Sequence, residues 1–168
     1  MVTSQLAGFS AQSQRFQIKP LRLGDEAALK AITDDPVVIG AISFLKNPFT
    51  LAHAEGLIRS NDESSHVFLG VRRIDNEALV GVIGVHPRGD TSLEIGYWIA
   101  TMCHRNGYAT EAVGAVLQAL RAAAPERQIF AECAVENAAS LRVLAKLGFH
   151  DTGRQGHRRG RTRFELQS

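Results

Sequence analysis

The sequence predicts a mixed α+β fold in a single domain, and three observations carry that prediction. β-rich runs at residues 66–72, 79–86 and 93–99 are separated by short turn signals, the pattern of an antiparallel meander. A strand-helix-strand-helix passage follows over residues 94–149, which requires a right-handed crossover if its two strands are parallel neighbours. A length of 168 residues with 45% apolar and 21% charged side chains suits one sizeable core.

The elements follow in chain order, and one domain is expected over residues 1–168. Residues 1–14 are polar and unpatterned and are expected to be a flexible lead-in. Phe16, Ile18, Leu21 and Leu23 suggest a first strand kinked at Pro20, whose missing N–H implies an edge position. Asp25 can cap a helix reaching Thr33. Thr50 can cap another, in which Ala54, Leu57 and Ile58 recur at helical spacing. Residues 35–49 between them read as a long connector. Asp75 and Asn76 mark the turn between the first two meander strands, and Pro87, Gly89 and Asp90 the next. Ala112, Val113, Val116, Leu117 and Leu120 form the apolar stripe of a helix beginning near Ala109 and ended by Pro125. Gly114 inside it costs about 1 kcal/mol relative to Ala. A strand at residues 129–135, a helix at residues 138–147 with Gly148 just past its end, and a hairpin turning near Gly160 complete the chain.

Several function classes are disfavoured by composition. A formal charge of +2 does not require a nucleic-acid partner. No apolar run of about 18 residues could span a bilayer, and residues 1–14 lack the features of a secretory signal, so a cytoplasmic protein with no membrane partner is expected. Cys103 and Cys133 are too few for a disulfide framework and lack zinc-site spacing. Both read as reduced, half-buried thiols. The histidines show no metal-ligand spacing, so no metal is expected.

Residues 94–111 carry the chemistry. Glu94, Ile95, Gly96, Tyr97, Trp98 and Ile99 form a strand that enters a tight loop, and Asn106, Gly107, Tyr108, Ala109, Thr110 and Glu111 open a helix. The first N–H groups of a helix have no internal partner and sit at its positive dipole end, so they bind phosphate oxygens. Gly107 allows close backbone approach, Asn106 tolerates left-handed backbone, and Arg105 adds a charge.

These residues, with the later block Glu136, Asn137, Ala138, Ala139, Ser140, Leu141, Arg142, Val143, Leu144 and the run Lys146 to Phe149, resemble the GNAT N-acetyltransferases, in particular the RimJ/RimL-type ribosomal-protein N-terminal acetyltransferases. The resemblance covers about a third of the chain. It implies a GNAT fold: a mixed, mostly antiparallel sheet splayed at its central strands, with helices on both faces. It implies acetyl-CoA as acetyl donor. The loop from His104 through Arg105, Asn106, Gly107, Tyr108 and Ala109 to Thr110 would hold the pyrophosphate. The strand end at Trp98, Ile99 and Ala100 would pair with the pantetheine amides, Asn137 would lie near the pantetheine arm, and Ser140 near the thioester. The sequence departs from the family's pattern at His104, Arg105 and Asn106, which stand where other residues are usual.

Acetyl transfer needs a neutral amine, whereas a free alkyl ammonium has a pKa near 10. By resemblance Glu94 is the first candidate for the base, with Glu132 and Glu136 as rivals; Glu94 could equally pair with a neighbouring strand. Many relatives carry a leaving-group tyrosine seven residues after the Asn, where this chain has Leu144. Ser140 is then the nearest proton or hydrogen-bond donor, unless it caps its helix locally. Developing charge on the acyl oxygen would be met by a strand N–H near Ile99. Tyr97 and Trp98 read as core or cofactor-packing residues. Arg154, Arg158, Arg159, Arg161 and Arg163 form a basic tail, either a solvated hairpin or a footprint for phosphate, acidic peptide or RNA; nucleic acid is disfavoured because Phe164 is its only aromatic. The acceptor reads first as a protein or peptide N-terminal amine, ribosomal ones included. A small amine or amino-sugar antibiotic is the alternative, and a non-catalytic acyl-CoA or nucleic-acid binding module is the rival class. A monomer or homodimer is expected.

Overall fold

In the computed structural model the elements are β1 (Ala11–Gln12), β2 (Phe16–Pro20), α1 (Glu26–Thr33), α2 (Pro36–Ala41), α3 (Leu51–Glu63), β3 (Val67–Arg73), β4 (Leu79–Arg88), β5 (Ser92–Ile99), α4 (Tyr108–Ala123), β6 (Gln128–Ala134), α5 (Ala138–Lys146), β7 (Phe149–Gln155) and β8 (Arg161–Leu166), with a 3-10 turn at Thr101–Cys103. The structure describes Leu6, residues 8–63 and residues 65–167. The strands form one sheet in the order β1-β2-β3-β4-β5-β6-β8-β7. All neighbours are antiparallel except β5 and β6, the pair linked through α4.

Each face of the sheet buries its own apolar layer, as a sheet with helices on both sides must. On one face Leu69, Val71, Ile83, Val85, Leu93 and Ile95 pack with Val113, Val116 and Leu120 of α4 and Leu144 of α5. On the other, Phe68, Val82 and Trp98 meet Leu29 and Ile32 of α1, Val38 of α2, and Ala54 and Ile58 of α3. The α4 stripe is the one the sequence spacing predicts. Gly114 lies where a Cβ would come 3.3 Å from Leu147 Cδ2, so its helix-propensity penalty accompanies close approach of the end of α5.

Local signals were obeyed unevenly. Thr50 Oγ1 accepts the His53 N–H at 3.2 Å, and Asn137 Oδ1 accepts the Ser140 N–H at 3.2 Å, both as helix caps. Asp25 does not cap α1. Its carboxylate instead accepts the Arg22 N–H and pairs with Arg72 on β3, a stronger charged partner than a helix amide. The expected connector at residues 35–49 contains α2, started by Asp35 Oδ1 accepting the Val37 N–H at 2.8 Å with Pro36 next in sequence. Pro20 ends β2 rather than kinking it, and beyond it the Leu21 N–H bonds Phe68 O at 2.9 Å. The lead-in expectation is corrected for residues 9–14. Phe9 is buried, Ala11 and Gln12 pair with Ile18 and Gln17, and Ser13 reaches α4. Leu6 is buried in the core as well, and Gly8 sits at a turn; the part of the expectation on residues 1–5 and 7 lies outside the described residues.

The β7–β8 hairpin turns through Gly160 at φ 77°. Just before the turn, the backbone presses against the carboxyl of Glu132 on β6, and a Cβ on Gly156 would stand 2.7 Å from Glu132 Cδ. Because that carboxylate is buried and hydrogen-bonded, it has little room to yield. Gly156→Ala is expected to destabilise the fold by about 1–3 kcal/mol in a urea melt, with the slope of the transition unchanged.

Candidate active site

β5 and β6 are paired only at Ser92–Gln128, Leu93–Ile129 and Glu94–Phe130. Beyond Glu94 they separate, whereas β5 stays paired to β4 as far as Gly81–Ile99. The gap is a cleft of about 630 Å³ that also reaches the start of α4 and the first turns of α5. The Ala100 N–H donates to Val80 O at 2.8 Å. Since backbone groups alternate along a strand, Trp98 and Ala100 turn theirs to β4, while Tyr97 and Ile99 turn theirs to the open side. Consistently, Ile99 O is 3.0 Å from His104 Nε2 instead of being bonded by β4. Of the predicted strand-end trio, Ile99 therefore offers its amide to the cleft. Trp98 instead sends its side chain to the α1 side, where Nε1 donates to Thr33 Oγ1 at 3.1 Å.

The loop before α4 has its left-handed residues at Arg105 (φ 64°) and Gly107 (φ 70°), with Asn106 outside that region. Asn106 instead donates from Nδ2 to the carbonyls of Cys103 and His104, both at 3.1 Å. No side chain caps the helix. The first-turn N–H groups of Tyr108, Ala109 and Thr110, all cleft residues, thus remain available for an anion.

The loop is held from behind by residues that sequence reasoning missed. Arg15 NH1 donates to Asn106 O at 3.0 Å, its guanidinium lies 4.8 Å over the Tyr108 ring, and its Nε reaches Glu111 Oε2 at 2.5 Å. Ser13 Oγ and the Arg15 N–H bond the other Glu111 oxygen at 2.7 and 2.8 Å. Burial raises the Glu111 carboxyl, but the Ser13 and Arg15 donors outweigh it and hold it below the usual range. An acid in the first turn of α4 was the available sequence signal; its partners lie more than 90 residues upstream.

On the opposite side of the cleft the two central carboxylates are fully engaged. Glu94, 3% exposed, accepts from Arg88 Nε at 2.7 Å and from Arg158 NH1 at 2.6 Å. Glu132 accepts from the His157 N–H at 2.5 Å, lies 2.7 Å from His157 Nδ1, and takes bonds from the Arg158 N–H and NH1 at 3.2 and 3.3 Å. Burial pushes the Glu132 carboxyl up, yet these donors prevail and lower it. Glu136 is exposed and outside the cleft lining. The basic tail is thus largely internal: Arg158 bridges both acids, Arg161 NH2 donates to Ala41 O at 2.8 Å, and Arg163 lies 3.6 Å over the Phe130 ring. Arg154 and Arg159 are exposed.

Ser140 and Asn137 both line the cleft, the latter as the cap of α5. Leu144 is buried behind them. The Tyr97 hydroxyl is buried and has no hydrogen-bond partner among the described residues. Burial pushes this phenol up to about 12, and the Ser140 hydroxyl lies close enough to offset part of the rise without forming a well-oriented bond. Cys133 lies in the same wall, its thiol raised by burial.

The fold has solved counterparts that are acetyltransferases. The GNAT-family acetyltransferase from Bacillus anthracis superposes with a TM-score of 0.81 at 24% identity, covering 94% of this chain and 98% of that one. RimJ from Mycobacterium smegmatis, in complex with CoA-disulfide, gives 0.78 at 22% identity, covering 96% and 88%. In sequence, the uncharacterized N-acetyltransferase YoaA of Bacillus subtilis (strain 168) is 36% identical over 86 residues, 50% of this chain and 49% of that protein, so the match spans about half the relative's length. Residues 15–150 match the family described as "Acetyltransferase (GNAT) domain". The chain belongs to the GNAT acetyltransferase family.

His86 stands beside Glu94 in the cleft wall, and burial depresses its imidazole to about 4, against the opposing pull of Glu94. The unfolded chain therefore takes up a proton below pH 6.5 that the folded chain refuses until about pH 4. Stability supplied by neutral His86 is full above pH 6.5 and is lost as pH falls toward 4. The melting temperature should drop across that window, and His86→Gln should flatten the drop; His66, lowered in the same direction by burial, leaves a remnant.

Proposed function

We propose that this protein transfers the acetyl group of acetyl-CoA to a primary amine, with a protein or peptide N-terminal amine as the first acceptor class. The observation that carries the reading is the unpaired β5 edge beyond Glu94 lying beside the uncapped start of α4, both opening on one cleft. A strand edge suits the two amides of a pantetheine arm by strand addition, and free helix N–H groups suit a pyrophosphate. The residues from His104 to Thr110 would hold the phosphates, Asn137 would border the arm, and the Ile99 N–H would meet the acyl oxygen. The thioester supplies an activated acyl group when bound. The chain's own part is to orient the amine, remove its proton and stabilise the departing sulfur. Glu94, fixed by Arg88 and Arg158, is the proposed base and would act through an intervening water. Ser140, with the unpartnered Tyr97 hydroxyl near it, is the proposed donor toward sulfur. The N-terminal acceptor rests on the RimJ/RimL-like sequence blocks.

At 100 times its dissociation constant, acetyl-CoA should stabilise the protein by about 2.7 kcal/mol, read as a thermal shift. Gly107→Val should abolish that shift, because valine resists the left-handed backbone at 107. A wild-type protein giving neither a shift nor calorimetric heat with saturating acetyl-CoA would refute the assignment.

Glu94→Gln should lower turnover about 10²-fold or more, with acetyl-CoA affinity little changed. Stopped assays of thiol release across pH check this, and circular dichroism checks that the variant keeps its fold. An unaltered rate and pH profile would assign the base elsewhere, with Glu132 next.

A further inference from the structure

On the α1–α3 side of the central strands, cross-strand rows bring Phe68 beside Gly84, Gly84 beside Gly96, and His86 beside Glu94. Two adjacent glycines leave this patch of sheet without side chains, but for different reasons. At Gly84 an added Cβ would stand 2.5 Å from His86 Nε2 and 3.3 Å from Phe68 Cε1, so packing requires the glycine. At Gly96 an added Cβ would meet nothing within 4 Å, and the backbone is not left-handed. Neither conformation nor packing asks for glycine there, although a glycine inside a strand weakens it. What glycine leaves at 96 is open space on the cleft wall. Phe44, Phe68 and Trp98 surround that space, their ring centroids 5.8 to 6.4 Å apart, with Phe44 45% exposed. Both carboxylates of the cleft lining, Glu94 and Glu132, are already ion-paired.

We infer that the hollow over Gly96 receives the apolar group next to the acceptor's amine, so that Gly96 sets specificity for singly charged primary amines bearing an aromatic or branched aliphatic substituent. This rests on the acetyl-transfer reading above and narrows it. An aromatic wall gains little from a hydrogen or a polar chain but removes an apolar group from water. A polyamine or amino sugar, by contrast, needs several free carboxylates, and the described residues lining the cleft present none unpaired.

The test compares glycinamide, leucinamide, phenylalaninamide and spermidine as acceptors with acetyl-CoA. Leucinamide and phenylalaninamide should exceed both others in kcat/KM by about 10-fold or more, the scale of discrimination by an apolar pocket. Gly96→Val should erase that preference. Its backbone groups face β4 rather than the cofactor side, so its acetyl-CoA affinity should stay within about twofold of wild type and its melting temperature should not fall. Trp98 is the only tryptophan, so quenching of its fluorescence by each amide in the presence of CoA reads acceptor binding independently of turnover. Equal or better use of spermidine or glycinamide, or an unchanged preference in Gly96→Val, would overturn the inference while leaving acetyl transfer standing. Absence of acetyl-CoA binding by calorimetry would remove both readings.

Discussion

The separation of β5 from β6 after Glu94 and Phe130 is the constraint on which the rest of this molecule depends. A parallel pair that stays zipped along its length has no free backbone edge, and one that never pairs has no sheet. Here three pairs hold the strands together at one end, and the remainder of β5 keeps its bonds to β4 alone. The open edge is tolerable because it lines a cleft rather than packed side chains, so unpaired N–H and C=O groups need not be stranded in an apolar core. The same separation lets the α4 start, reached through the turn after Ile99, sit beside the edge rather than above it.

Two distant clamps keep the gap from closing or drifting. At the start of α4, Ser13 and Arg15, at the N-terminal end of the sheet, grip Glu111 and the Asn106 carbonyl. On the opposite side of the cleft Arg158 from the last hairpin bridges Glu94 on β5 and Glu132 on β6, the two strands that diverge. Each buried carboxylate would be costly alone, and removing one arginine would leave charge unmatched. The hairpin is thus tied to the cleft by ionic bonds as well as by the β6–β8 ladder. Of the five tail arginines, Arg158, Arg161 and Arg163 are explained by internal contacts, whereas Arg154 and Arg159 are exposed.

Much of this was legible in the sequence where the signal is local. The α4 stripe from Ala112 to Leu120, the meander and the Gly148 and Gly160 turns follow from spacing and backbone chemistry, and the two motif blocks point to the family that residues 15–150 match. What was not legible depends on contacts across the sheet. Ser13 looks like lead-in, and Arg15 carries no signal of its own, until Glu111 is placed opposite them. Arg158 looks solvated until β6 and β8 pair. Asp25 looks like a cap until Arg72 arrives from β3. The left-handed position was assigned to Asn106 by residue preference, yet the loop puts Arg105 and Gly107 there and uses the Asn106 amide to tie Cys103 and His104. For Ser13, Arg15, Arg158 and Asp25 the deciding partner is distant in sequence; for Asn106 it is the carbonyls of its own loop.

The alternation of β5 then divides labour between the two sides of one strand. Tyr97 and Ile99 turn their backbone to the gap, and Tyr97 sends its side chain toward Ser140 and Cys133. Glu94, Gly96 and Trp98 point to the other face, where α1, α2 and the Phe44 loop cover them. A single strand therefore presents main-chain groups to the gap and side chains to the other face, with a period of two keeping them apart. In the proposed reading, substitutions on the acceptor face change what is recognised without altering the cofactor edge, because that edge is backbone and any residue but proline supplies it. The N-terminal third builds the cover over that second face, through Leu29, Ile32, Val38, Ala54 and Ile58.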